Sequence, residues 1–124
     1  MNVSEPDLTK NEEVKSIGVS PVKEIVNRVV KEFMDLVVLS EIKRNKCASG
    51  YDIMVVVHDK FGVPVSSGTV YSNLYALERR RLVSGSIDGK KRVYRLTDEG
   101  EDFLGSILNS KKELAEFMQL FLNF

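Results

Sequence analysis

Two short stretches of this chain hold side chains suited to meeting a phosphate backbone and the edges of bases. The first, Ser66-Ser67-Gly68-Thr69-Val70-Tyr71-Ser72-Asn73, offers hydroxyls and one carboxamide that donate to phosphate oxygens or to base edges, with Asn73 chemically suited to adenine. The second, Asp88-Gly89-Lys90-Lys91-Arg92, sets three consecutive cations just past a turn signal. Val70, Leu74 and Leu77 recur at helical spacing, which predicts a helix over about 67–81 with those residues inward. Thr69, Ser72, Asn73 and Ala76 then point outward, with Tyr71 and Tyr75 at the borders. That outward face is small, polar and uncharged, as close approach to a groove requires, and the helix N-terminus adds backbone donors for phosphate. Its first turns carry no arginine for a bidentate guanine contact, so shape and deformability of the duplex are expected to contribute to selectivity.

The flanking elements fit this chemistry. Ser49-Gly50 opens a helix carried by Tyr51, Ile53, Met54 and Val57 to about Lys60, and Phe61-Gly62-Val63-Pro64 ends it. Residues 82–87 and 90–96 suit strands around a two-residue Asp88-Gly89 turn. Arg92, Tyr94 and Leu96 share one strand face, and Lys91, Val93 and Arg95 the other. Upstream, Ser20-Pro21 starts a helix with Val22, Ile25, Val26, Val29, Val30, Phe33 and Val37 on one side, bending or breaking near Asp35. Lys43 to Lys46 reads as a polar connection.

Downstream, Thr97 caps a helix that is expected to run to the chain end. Phe103, Ile107, Leu114, Phe117, Met118 and Phe121 form an apolar stripe there, interrupted at Ser110-Lys111, and a second copy of the chain is the expected cover. The fold class is therefore mainly α with a small β-hairpin wing: a winged helix-turn-helix with extra N- and C-terminal helices. Residues 1–20 are expected as a flexible arm, 21–97 as the winged domain with its N-terminal helix, and 98–124 as a dimerisation helix.

Composition bounds the alternatives. The chain has 124 residues with 18 basic and 18 acidic side chains, which argues against a general nucleic-acid coat. The distribution says more: residues 79–95 carry a local +6, and residues 98–124 a local −4. One face is thus expected to meet phosphate while another stays away from it. One cysteine, Cys47, and one histidine, His58, leave no disulfide, metal centre or His-based catalytic set, and no phosphate-cradling glycine loop is present. No enzyme activity, cofactor or metal is expected. The longest apolar runs are too short to cross a bilayer and the first residues lack a secretory pattern, so a cytoplasmic setting without membrane contact is expected. The rival reading is a winged-helix protein-interaction module, which would show an apolar patch at the wing in place of exposed cations.

From Leu36 to Leu104 the chain resembles the PadR-type winged-helix transcription regulators. The residues that carry the resemblance are Gly50-Tyr51-Asp52-Ile53, Ser67-Gly68-Thr69-Val70-Tyr71, Leu77-Glu78, Arg92-Val93-Tyr94-Arg95-Leu96-Thr97 and Gly100. The chain also looks like small winged-helix regulators abundant in some archaea. The resemblance implies a homodimer joined by terminal helices and a partner of double-stranded DNA. It implies recognition by the helix over about 67–81, with Ser67, Thr69 and Tyr71 at its DNA-facing start, and with the wing over 87–92 placing Arg92 on phosphate. Ser66, Ser72, Asn73, Lys90 and Lys91 complete the expected contact set. Two departures stand out. Arg81 occupies a place where the family commonly has glycine, and a left-handed cap there would cost arginine about 1 kcal/mol. The chain also lacks tryptophan, which argues against a flat drug-like effector between subunits.

Overall fold

The structure, a computed structural model, describes residues 20–123, with six helices and three strands among them. Of the expected 1–20 arm, residues 1–19 lie outside the described residues. The chain divides at Phe33–Met34 into two units. Within the first, α1 (Pro21–Glu32) begins as expected: the Ser20 hydroxyl accepts the Lys23 N–H at 3.0 Å and proline takes the first helical position. It ends at Phe33, whose backbone leaves the helical region, two residues before the expected bend at Asp35.

The second unit runs α2 (Met34–Asn45), β1 (Ala48–Ser49), α3 (Gly50–Phe61), α4 (Ser67–Arg79), β2 (Val83–Asp88), β3 (Lys91–Leu96), α5 (Asp98–Leu108) and α6 (Lys111–Phe121). Asp35 accepts the Leu36 N–H at 2.9 Å, so this residue supports the start of α2. Met34, Val38, Leu39 and Ile42 of α2, Ile53 and Val57 of α3, and Val70, Leu74 and Leu77 of α4 are buried, with Leu104 of α5. Periodicity singles out those of α3 and α4. Val22, Ile25, Val29 and Phe33, expected on one apolar face, are instead exposed, and α2 buries Met34, Val38, Leu39 and Ile42. Burying each core residue contributes about 1.5–3 kcal/mol. A capping box at Ser49 and Asp52 starts α3, and Gly62 at φ 66° ends it.

Three expectations are corrected. Lys43 to Lys46 is not a connection: Lys43, Arg44 and Asn45 form the last turn of α2, and Lys46 turns the chain at φ 71°. Beyond it Ala48 and Ser49 pair with Tyr94 and Val93, giving the sheet order β1-β3-β2. Two residues are too few to show alternation in sequence. The wing turn is Gly89-Lys90, not Asp88-Gly89, because Asp88 pairs with Lys91 and Gly89 takes φ 68° at the first turn position. The resulting slip is two residues, so every side chain keeps its expected face.

The C-terminal helix is not continuous. It breaks at Asn109-Ser110 into α5 and α6. Ser106 and Ser110 donate their hydroxyls back to the carbonyls of Phe103 and Ser106 at 2.8 and 3.0 Å, which competes with regular helix bonding.

Candidate nucleic-acid interface

The candidate interface lies at the turn between α3 and α4. Ser66 caps α4: its hydroxyl accepts the Thr69 N–H and donates to the Thr69 hydroxyl, both at 3.1 Å. Asn73 donates to the Thr69 carbonyl at 3.0 Å. Ser66, Thr69 and Asn73 therefore form a small network that stiffens the helix start, while Ser67 and Ser72 stand exposed beside it. Helix α4 stops at Arg79, two residues short of the expected range, with Arg80 as its C-cap.

Tyr71 is half exposed and lies against the start of α3. A Cβ placed on Gly50 would meet its ring at 2.5 Å, so glycine at that position leaves the space in which the Tyr71 ring rests. Arg81 adopts φ 63°, the left-handed cap at the place where the resemblance implies glycine. Its carbonyl accepts the Thr97 hydroxyl at 2.5 Å, which fixes the base of the wing.

The seven cations of residues 79–95 do not behave alike. Arg79 stacks on Tyr75, and Arg80 lies over Phe103 with Asp35 at 3.8 Å. Arg95 donates to the Ser86 hydroxyl at 3.4 Å. Arg92, the expected phosphate ligand, is exposed but engaged within the chain: it donates to both oxygens of Glu78 at 3.1 and 3.4 Å and lies over the Tyr94 ring. Tyr94 first, and Glu78 second, hold its guanidinium above the ordinary arginine range. Lys90 at the turn and Lys91 beside it are exposed, and neither makes an ion pair among the described residues.

Glu78 is the residue that sequence reasoning passed over. It appeared only as a matching pair with Leu77, and its position at the edge of the buried stripe was the available signal. His58 is exposed and within 3.3 Å of Asp59, and no group of three metal-ligating side chains occurs among the described residues. Among the same residues no helix is long and apolar enough to cross a membrane.

In the expected dimer stripe, Phe103 and Ile107 of α5 are half-buried, whereas Leu114, Phe117, Met118 and Phe121 of α6 are exposed. The rings of Phe117 and Phe121 stack with centroids 6.2 Å apart.

Residues 38–106 match the Transcriptional regulator PadR-like family, more than half of the chain. No curated protein matches the sequence. Among solved structures, the chain is similar to a transcriptional regulator from Clostridium thermocellum, at 19% identity and a TM-score of 0.66 over 77% of this chain and 96% of that one. A PadR family transcription regulator from Clostridium difficile superposes with a TM-score of 0.65 at 26% identity, over 73% of this chain and 99% of its own. Bacillus subtilis PadR, solved in complex with operator DNA, is 25% identical with a TM-score of 0.53 over 61% of this chain and 46% of its own. These matches make the fold a winged helix-turn-helix and the chain a regulator, not an enzyme. The chain belongs to the PadR-like family of transcriptional regulators.

Proposed function

We propose that this protein binds double-stranded DNA as a homodimer, with α4 in the major groove and the wing on the backbone or minor groove. The observation that carries the reading is the pairing of an exposed, uncharged polar helix start with two exposed lysines at the wing tip. The complex of Bacillus subtilis PadR with operator DNA supports it by family relationship. Ser67 and Ser72 are the free donors toward phosphate or base edges, and Lys90 and Lys91 supply charge. Ser66, Thr69, Tyr71, Asn73 and Arg92 shape the surface that presents them. Two copies joined through Phe103, Ile107, Leu114, Phe117, Met118 and Phe121 would set two recognition helices about 34 Å apart, on a pseudo-palindromic site. A cytoplasmic setting follows from this reading.

An interaction module without DNA binding is less well supported. Around the wing turn, Ile87 is the exposed apolar residue, and charged or small residues surround it.

The test is a gel shift against a mixed duplex pool at several salt concentrations, with a K90A/K91A variant alongside. Binding by wild type, with weaker binding and a shallower salt slope in the variant, supports the reading. No wild-type binding at low salt overturns it.

A further inference from the structure

One carboxylate joins the recognition helix to both strands of the wing. From α4, Glu78 Oε2 accepts the Gly85 N–H of β2 at 3.1 Å and Arg92 Nη2 of β3, also at 3.1 Å. The Arg92 guanidinium lies over Tyr94 and against Gly85, where an added Cβ would come within 2.7 Å of it. Gly85 and Tyr94 face each other across the strands, so glycine opens the slot in which the guanidinium rests.

An acid beside a surface meant for phosphate weakens binding unless it does something else. A two-stranded hairpin is marginally stable alone and flexes beyond its tied base. Gly85 lies four residues from Gly89, and at about 3.3 Å per residue the turn is roughly 13 Å beyond the clamp. A swing of about 10° there would displace Lys90 by about 2 Å, enough to lift it from a phosphate that the helix start still contacts.

We infer that Glu78 is a positioning residue that sets the angle of the wing on the recognition helix, with Arg92 as its partner rather than as a phosphate ligand. This rests on the DNA-binding reading above for its consequence in affinity, but not for its geometry.

The experiment compares wild type, E78A, E78Q, R92A and E78A/R92A on a duplex selected by wild type, at several salt concentrations. In parallel, amide residual dipolar couplings of β2 and β3 are measured against those of α4 in the free proteins. E78A should weaken binding by roughly 5-fold although it removes a negative charge, and R92A should do the same with an unchanged salt slope. The double variant should be no weaker than either single one, and E78Q, which keeps an acceptor for Gly85, should lose less. The wing should reorient in free E78A. Equal or tighter binding by E78A overturns the inference, as does a slope lowered by about one counterion per protomer in R92A. If wild type binds no DNA, the proposed function fails by itself. The couplings then decide: a wing unmoved in E78A overturns the positioning role, and a reoriented one upholds it.

Discussion

A side chain on Gly100 would lie 2.0 Å from the carbonyl oxygen of Leu82, so α5 crosses the base of the wing at backbone contact. The same oxygen accepts the Thr97 N–H at 3.1 Å, and the Thr97 hydroxyl accepts the Gly100 N–H at 2.9 Å. Backbone on both sides leaves nothing flexible to yield. G100A is expected to cost about 2 kcal/mol or more by overpacking, read from urea unfolding midpoints. A cost under about 0.5 kcal/mol would show that this junction relaxes freely.

Arg81 keeps its left-handed backbone while its N–H donates to the Glu78 carbonyl at 2.9 Å and the next N–H reaches Leu77 at 3.0 Å. The strain sits in the backbone and not in a side-chain contact. R81G should therefore stabilise the protein by about 0.5–1 kcal/mol, while R81A should not. The check is the thermal midpoint, which moves by about 4–8 °C per kcal/mol for a domain of this size.

Placing a methyl at Gly50 drives it into the Tyr71 ring, which is half exposed and has room to swing outward. G50A is thus expected to alter stability by less than about 1 kcal/mol. It should nevertheless cost about 1 kcal/mol or more in DNA affinity, because the displaced ring crowds the start of α4. Gel shift and thermal melting on the same preparation separate the two effects. Unchanged binding would place Tyr71 outside the interface.

Phe117, at 57% exposure, and Phe121 present stacked rings to solvent on α6. Sedimentation velocity should find F117E/F121E monomeric and wild type dimeric, since each buried aromatic contributes about 1.5–3 kcal/mol to association. The monomer should also bind a two-half-site duplex at least about 100-fold more weakly, through loss of the linked second contact. A dimeric variant would move the interface elsewhere.

The helical core was legible in sequence because Val70, Leu74 and Leu77, or Ile53 and Val57, obey one period and are buried for that reason. Helix starts at Ser20, Ser49 and Thr97 were legible because a hydroxyl before an apolar run has a local meaning, and the cap at Ser66 has the same chemistry. The wing turn moved by one residue, and the strand register by two, because both Asp88-Gly89 and Gly89-Lys90 place glycine where a positive φ is needed. The break at Ser110 was visible as an interruption of the stripe, yet the serine back-bonds that open the helix have no periodic signature. In the candidate interface, residue types foretold the exposed donors. They did not foretell that Arg92 would turn to Glu78, fourteen residues back in sequence, because that pairing exists only once the hairpin lies on α4.

The base of the wing is tied shut from both ends, with Thr97 bonded to the carbonyls of Arg81 and Leu82. Within that span Val83, Val93 and Tyr94 are buried and β3 pairs with β1, whereas residues 87–91 are all exposed and behave as a cassette beyond the Glu78 clamp. Lengthening or exchanging its tip adds only a slowly growing loop-closure cost and leaves the core junctions in place. Divergence of target preference within such a scaffold can therefore proceed by replacing residues 87–91 alone, without renegotiating the contacts that tie the wing to α4.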